Sequence, residues 1–370
     1  MATYTAIRQF DHATPARTAI LLVQLGTPDA PEPAAVRRYL GEFLSDPRVV
    51  EIPALLWKPI LHGIILRTRP RRSAAKYAQI WTDLGSPLAV YTERQATLLR
   101  GYLGERGLDV EVAFAMRYGN PSVPQVLRDL RERNVTRLLV LPLYPQYAGS
   151  TTATAFDAVW REFAGWRNVP AVRAIRDFHD FGPYIDALAE RVRTAWGNDG
   201  PPDRLVMSFH GVPRRTLLEG DPYHCECLVT GRLLAAKLEL PPERFVVTFQ
   251  SRFGKAQWLE PYTDRVLAEL GRQGVGRVDV VCPGFVSDCL ETLEEIAIEG
   301  RETFLEAGGR EFRYIPCMND QPSFIAALAA LAQQHLGGWP VLRPTPEQAR
   351  QGAQSLQERR ARAVALGAQR

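Results

Sequence analysis

The chain has 370 residues, enough for two domains of ordinary size, each with its own hydrophobic core. Hydrophobic residues make up 46% and charged residues 23%, and the formal net charge is +4 with scattered cations, which argues against a disordered chain or a nucleic-acid partner. No apolar stretch is long enough to span a bilayer, and residues 1–18 lack the apolar segment of a secretory signal, so a cytoplasmic location is expected.

Eight short apolar runs alternate with stretches of helical periodicity. The runs are residues 19–25, 110–115, 137–143, 169–175, 204–209, 245–249, 278–282 and 312–315. Apolar strands separated by helices indicate parallel sheets that are covered on both faces. We therefore predict an α/β protein with two doubly wound domains, residues 17–176 and 177–339, each a four-stranded parallel sheet flanked by helices. The charged tail, residues 340–370, is expected to be a surface helix or partly disordered.

Residues 45–76 interrupt this alternation between the first two strands. An apolar stretch, residues 52–66, leads directly into the basic cluster of residues 67–72. Such a combination lies on a membrane surface, forms the lip of an apolar pocket, or is a buried helix followed by a solvated basic turn. The residues alone leave these alternatives open.

A hydroxyl-rich loop follows the third run. Ser150 and Thr151 stand where this loop enters a predicted helix. Hydroxyl groups and free amides at a helix start can hold an anion, or the hydroxyl groups simply cap the helix.

His210 directly follows the fifth run and precedes Gly211 and Pro213. It is therefore expected at the carboxyl end of a strand, where α/β sheets bind ligands. An imidazole in that position can accept protons near neutral pH. The alternative is a histidine that only caps a turn.

A predicted helix over residues 288–304 carries a row of acidic residues. Glu291, Glu295 and Glu299 have the spacing i, i+4 and i+8, which predicts one shared helical face. A row of carboxylates can bind a divalent metal or pass protons along. The alternative is a capping box of Asp288 and Glu291 in the first turn, which leaves Glu299 unexplained.

The cysteines predict neither disulfides nor a metal cluster. They are Cys225, Cys227, Cys282, Cys289 and Cys317. Their number is odd, and no second pair stands near Cys225 and Cys227 to complete a four-ligand site. Free buried thiols are expected, and no iron–sulfur cluster.

Ten short segments, taken in order, resemble the motifs of the ferrochelatase family. They are residues 22–28, 43–50, 85–88, 115–119, 144–152, 208–213, 220–223, 249–254, 258–261 and 287–293. The resemblance extends from about residue 19 to residue 331. It implies two similar Rossmann-like domains of the chelatase type, with a porphyrin in the cleft between them. It also implies that ferrous iron enters protoporphyrin IX to form protohaem, the last step of haem biosynthesis.

The resemblance implies roles for particular residues. His210 and Glu291 would be catalytic and would contact the metal from opposite sides of the macrocycle, and Glu295 and Glu299 would extend the metal path. The remaining matched residues would line or support the porphyrin site: Leu25, Ser86, Arg117, Tyr118, Tyr147, Ser150, Thr151, Trp258, Phe285 and Asp288. Iron and porphyrin are substrates, so no tightly bound cofactor is expected. Residues 52–72 become the lip of the site, which favours peripheral contact with a membrane.

Two departures from the family pattern bear on specificity. Cys289 stands where many relatives carry a histidine, which shifts the expected metal contact toward His210 and the carboxylates. Leu25 stands where relatives that act on coproporphyrin often carry a tyrosine, which favours protoporphyrin IX.

Three other functions fit the sequence less well. A cobalt chelatase of corrinoid synthesis would depend on several histidines, whereas only His210 of the six in this chain lies in a matched segment. A non-catalytic porphyrin or haem carrier would need neither His210 nor the acidic row. An α/β protein that binds an unrelated ligand would not carry the motifs in this order.

Overall fold

A computed structural model describes residues 4–5, 10–254 and 256–369. The first half of the chain contains strands β1 (Arg17–Thr27), β2 (Glu111–Gly119), β3 (Val135–Pro142) and β4 (Ala171–Ala174). Its helices are α1 (Pro33–Leu44), α2 (Ala54–Ile60), α3 (Leu66–Ile80), α4 (Pro87–Glu105), α5 (Val123–Glu132) and α6 (Thr154–Phe163). The second half contains strands β5 (Arg204–His210), β6 (Phe245–Gln250), β7 (Arg277–Val281) and β8 (Glu311–Ile315). Its helices are α7 (Gly182–Trp196), α8 (Arg214–Leu218), α9 (Tyr223–Lys237), α10 (Thr263–Arg272), α11 (Leu290–Leu293), α12 (Arg301–Glu306), α13 (Pro322–Leu336) and α14 (Pro346–Ala365).

The eight strands form two four-stranded sheets. Their orders are β2-β1-β3-β4 and β6-β5-β7-β8, and every neighbouring pair is parallel. Residues 18–24 of β1 are all buried, because helices cover both faces of its sheet. The predicted fold class, two four-stranded parallel sheets flanked by helices, is confirmed.

In each sheet the order in which the chain adds strands reverses once, and it does so at the equivalent strand of both sheets. The chain passes from β1 to β2 on one side and then to β3 on the other, and it repeats this around β5 with β6 and β7. The carboxyl ends of β1 and β3, and of β5 and β7, are therefore the switch points at which loops diverge and leave a crevice.

One hydrophobic cluster joins the two sheets. Ile20 and Leu22 of β1 share it with Leu205 and Met207 of β5. Helix α13 packs against both α7 and α4, so the end of the second half lies on a helix of the first. This packing holds the two switch points in one rigid arrangement.

Two surface elements complete the fold. Residues 54–80 form α2, a π-helical turn (Leu61–Ile65) and α3, and Leu61 and Leu66 anchor them in a small separate core. The tail forms α14, which starts with a capping box of Thr345 and Gln348 and has no buried residue. No described helix combines the length and the apolar character that crossing a membrane requires.

Candidate active site

A deep cleft opens where the switch points of the two sheets meet. It encloses about 1400 Å³, including its open mouth, and the loops after β1, β3, β5 and β7 all contribute to its wall. Aromatic side chains line much of it: Tyr39, Phe43, Tyr77, Tyr144, Tyr223, Phe253, Trp258 and Phe285. A large apolar cleft with a few polar groups suits a flat organic ligand.

Gly26 shapes the wall at the end of β1. Its φ is +110°, and a Cβ atom there would overlap the carbonyl oxygen of Tyr118 on β2. Only glycine tolerates this approach, which places Leu25 and Thr27 in the wall. The Thr27 hydroxyl donates a hydrogen bond of 2.8 Å to Ser86 Oγ.

His210 ends β5 and lies in the wall of the cleft. Its Nδ1 atom is 2.6 Å from the carbonyl oxygen of Gly211. Because a carbonyl oxygen can only accept, Nδ1 carries a proton, so in the neutral form of the ring the lone pair is on Nε2. Gly211 in turn donates its N–H to the Gln250 carbonyl oxygen at 2.7 Å, and a Cβ atom at Gly211 would lie 2.7 Å from that oxygen. Glycine at this position is therefore needed to orient the imidazole.

Glu291 lies in the first turn of α11 and also lines the cleft. The cap of this helix differs from the predicted one: Cys289 is the N-cap, and its N–H donates to Thr292 Oγ1 at 3.0 Å. The proposed capping box of Asp288 and Glu291 is therefore wrong, because the carboxylate of Asp288 points elsewhere. Cys289 lines the cleft too, and burial raises the pKa of its thiol, which keeps it protonated.

Asp288 lies behind the wall rather than in it. Its carboxylate accepts hydrogen bonds from Tyr314 Oη at 2.5 Å, Asn319 Nδ2 at 2.6 Å and the Cys317 N–H at 3.2 Å. It thereby ties the loop before α11 to the loop after β8. In this position Asp288 supports the wall and does not line the cleft.

The acidic residues do not form one straight row on an α-helix. Helix α11 ends at Leu293, and Glu295–Gly300 is π-helical, with the Glu299 N–H donating to the Glu294 carbonyl oxygen. The prediction of one uninterrupted α-helical face is wrong, because the wider π turn rotates the later side chains. Glu295 and Glu299 line a second cavity of about 670 Å³, including its opening, whereas Glu291 lines the main cleft.

Glu295 lines the second cavity and is linked to Glu291 of the main cleft through the side chain of Gln250. Its carboxylate accepts from the Ser251 N–H at 2.7 Å and from Gln250 Nε2 at 3.3 Å, and Gln250 Nε2 also donates to the Glu291 carbonyl oxygen at 2.7 Å. Burial raises the pKa of Glu295, although the bonds from Ser251 and the nearby His210 oppose that effect. The group can therefore take up and release a proton closer to neutral pH than a surface carboxyl group.

Glu299 is paired with a cation supplied by the protein. Lys76 of α3 places its Nζ atom 2.7 Å from Glu299 Oε1 and 2.8 Å from Glu294 Oε1. Burial alone would lower the pKa of Lys76, but its hydrogen bonds to the two glutamates outweigh burial and raise it. A metal ion at Glu299, as expected from the sequence, would compete with this ammonium group for Oε1.

Three other predicted ligand-binding residues also lie outside the wall. Arg117 pairs with Asp46, and the Tyr118 hydroxyl donates to the same carboxylate at 2.9 Å. The guanidinium group of Arg176 stacks on Tyr147, with its Cζ atom 4.2 Å from the centroid of the tyrosine ring. Arg117 and Tyr118 support the wall from behind, because their polar groups are engaged with Asp46, and Tyr147 packs against Arg176.

The remaining predicted residues line the cleft. They are Leu25, Ser86, Ser150, Thr151, His210, Trp258, Phe285 and Glu291. Sequence reasoning missed Tyr39 and Tyr77, whose positions on helices look like ordinary core positions, and the charged residues Arg48 and Arg215. It also described all five cysteines as buried, whereas Cys225 is exposed.

Comparisons with known proteins give a consistent result. A family model described as Ferrochelatase matches residues 17–336. A ferrochelatase from Polaromonas sp. (strain JS666 / ATCC BAA-500) is 59% identical over 365 residues, 98% of each chain. One from Aromatoleum aromaticum is 60% identical over 340 residues, 92% of this chain and 93% of the relative. Among solved structures, SirB from Bacillus subtilis with Fe3+ matches with a TM-score of 0.53 and 13% identity, over 87% of this chain and 96% of that one, a likeness of fold.

Proposed function

This chain belongs to the ferrochelatase family, and from that premise we propose that it is the enzyme that inserts ferrous iron into protoporphyrin IX to form protohaem. The observation that carries the proposal is the aromatic cleft between the two sheets, whose wall holds both a histidine base and a carboxylate. Ferrous iron and porphyrin are substrates here, and no resident cofactor enters the scheme.

The imidazole of His210 suits the first chemical requirement. Insertion of a divalent metal replaces the two protons on the pyrrole nitrogens, so each proton needs an acceptor. Nε2 of His210 can accept one, and the Nδ1–H group donates to Gly211 both before and after this transfer. The ring therefore accepts the proton without turning, and Glu291 is the second group on the wall for the other proton or for contact with the ferrous ion.

Protons can leave through the polar groups under the cleft. Glu295 lies within electrostatic range of His210 and Glu291 and borders the second cavity. We assign it to proton transfer toward that cavity rather than to metal binding. Glu299, already paired with Lys76, stands at the outer end of this route.

The cleft wall favours a porphyrin with apolar substituents. Leu25 places an aliphatic side chain in the wall, where a tyrosine would add a hydroxyl group. This supports protoporphyrin IX over coproporphyrin, which carries two additional propionates. Competition between the two porphyrins under equal conditions measures this preference directly.

The experiment that tests the proposal is an anaerobic assay with ferrous iron and protoporphyrin IX. Loss of free-porphyrin fluorescence together with appearance of the haem spectrum would show insertion. Tight binding of porphyrin without turnover would support a carrier instead. Turnover with cobalt and a corrinoid precursor, and none with iron and protoporphyrin, would support a cobalt chelatase.

We also propose that the lip, residues 52–72, contacts a membrane surface. Leu55, Leu56 and Ile64 are 90%, 64% and 58% exposed, and Arg67 and Arg69 extend into solvent beside them. Exposed apolar side chains next to cations suit the boundary of an anionic bilayer. The protein should sediment with anionic vesicles, and the double variant Leu55→Ser, Leu56→Ser should do so less. The matched variant Leu218→Ser, which is exposed outside the lip, should sediment like the parent; equal loss in both variants would contradict the proposal.

A further inference from the structure

An ion pair spans the mouth of the cleft. Glu51 immediately precedes the lip, residues 52–72, and Arg215 lies in α8, which follows β5 and its last residue His210. The two side chains approach to 2.7 Å between Oε2 and Nη1, and both residues line the cleft. The pair therefore joins the two halves of the protein directly in the path of an entering ligand.

Arg215 is held by fewer contacts than Arg48, the other arginine in the wall, although the two ion pairs are about equally exposed. The other arginine there, Arg48, is held by Asp157 through two hydrogen bonds, at 2.5 and 3.2 Å. Arg215 meets Glu51 through one close contact, and the two side chains remain 45% and 38% exposed. Exposed ion pairs of this kind contribute little to stability, so this one is opened easily.

A carboxylate that is already held in the cleft can replace Glu51 at little cost. Protoporphyrin IX carries two propionates, and burial of its ring would hold them at a high effective concentration beside the wall. Asp221 is the third acidic residue of the wall, besides Glu51 and Glu291. Its carboxylate is already engaged, because it accepts hydrogen bonds from the N–H groups of Gly149 and Tyr223 at 2.7 and 3.0 Å. Glu51 is therefore the acidic partner that can exchange.

We propose that Arg215 binds one propionate of the porphyrin in exchange for Glu51, and that Glu51 acts as an internal competitor for this arginine. The inference rests on the proposed function, because it assumes a porphyrin with free carboxylates. It makes Arg215 a specificity-determining residue: it selects porphyrins for a carboxylate at the mouth, independently of the metal-insertion step at His210.

Binding of protoporphyrin IX and of its dimethyl ester, measured by fluorescence without metal, tests this exchange. Arg215→Gln should weaken binding of the free acid about tenfold, as expected for loss of a charge-assisted hydrogen bond, and leave the ester unchanged. Glu51→Gln should strengthen binding of the acid, because the competitor is gone, again without effect on the ester. The double variant should match Arg215→Gln alone.

Arg214→Gln is the matched control, because Arg214 is exposed, precedes Arg215 and does not line the cleft. It should leave the binding of both porphyrins unchanged. Equal weakening of acid and ester by Arg215→Gln, or the same loss of acid binding in Arg214→Gln, would overturn the proposal. Failure of the proposed function has a different signature: the parent protein would bind porphyrin in this assay but would not insert iron.

Discussion

Asp46 organises the polar groups immediately behind the cleft wall. It pairs with Arg117, accepts from the Tyr118 hydroxyl at 2.9 Å and accepts from the Arg48 N–H at 2.9 Å. Burial by itself raises the pKa of this carboxyl group, but these bonds and the charge of Arg117 outweigh burial and lower it. Asp46 is thus ionised in the folded protein and joins the segment before the lip to β2.

Replacement of Asp46 by Asn should destabilise the protein by about 3 kcal/mol at neutral pH, because the guanidinium group of Arg117 stays buried without its counter-charge. A carboxyl group whose pKa is lowered by folding stabilises the folded state at pH values above its pKa in the unfolded chain, which is about 4. This stabilisation is lost as the pH falls through the pKa that the group has in the folded protein. The difference between parent and variant should therefore shrink below about pH 4. Urea unfolding at pH 7 and at pH 3 measures both effects.

Asp157→Asn provides the control, since the pair of Asp157 with Arg48 is largely exposed. This substitution should lower the free energy of unfolding by less than about 1 kcal/mol. An equal decrease in the free energy of unfolding in the two variants would contradict the role assigned to Asp46. A decrease in Asp46→Asn that does not change with pH would contradict it as well.

Sequence motifs located the site residues at or soon after the carboxyl ends of strands but did not give the direction of their side chains. His210 and Glu291 follow strands in matched segments, and the structure places both in the wall. Arg117 and Tyr118 also stand in a matched segment, yet Asp46 draws both away from the cleft. That partner is 71 residues away from Arg117, a separation that no local pattern reveals.

At the scale of elements, the segment after α11 connects the catalytic wall to α3. Its π-helical turn places Glu294 and Glu299 together at Lys76 of α3. Helical character over residues 288–304 was predictable from periodicity. The π turn was not, because it depends on contacts with Lys76 and Ser251, which are distant in the sequence.

Lys76→Met should turn this paired site into one that responds to divalent cations. Two carboxylates would lose their resident ammonium group, and burial would then raise the pKa of Glu294 further. Millimolar magnesium should raise the melting temperature of the variant by about 2–4 °C, and that of the parent by less than 1 °C, since bound ligands stabilise the folded state.

Lys58→Met is the matched control for this prediction. Lys58 is an exposed lysine of the lip helix α2, and no ion pair is formed by it in the described part of the chain. Its melting temperature should respond to magnesium as the parent does. A response of the same size in all three proteins, or in none, would contradict the view that Lys76 occupies a cation site.

At the scale of the whole molecule, function depends on how two similar halves meet. Local patterns were sufficient for the strands and the sheet class, because buried parallel strands have a distinctive apolar composition. The relative placement of the halves depends on contacts such as α13 on α4 and Glu51 on Arg215. Such pairs are far apart in sequence, so only the resemblance to a known family indicated a cleft between the halves.

Removal of residues 345–370 should leave activity unchanged and the melting temperature within about 2 °C of the parent value. Helix α14 has no buried residue and is attached mainly through Arg359, which donates to the carbonyl oxygens of His12 and Thr14. A longer deletion, from residue 337, should lower the melting temperature, because it also removes the buried Val341 and its hydrogen bond from Asp109. Loss of iron insertion in the shorter deletion would contradict the expectation that α14 does not contribute to activity.

The central claim is that His210 acts as the base of a metal-insertion site. Single-turnover insertion of ferrous iron into prebound protoporphyrin IX, with porphyrin binding measured separately, tests it most directly in the parent and in His210→Ala. The account predicts a rate about 10²- to 10⁴-fold lower in the variant, the usual contribution of a general base, with porphyrin affinity nearly unchanged. An undiminished insertion rate in a variant that still binds porphyrin would contradict the account.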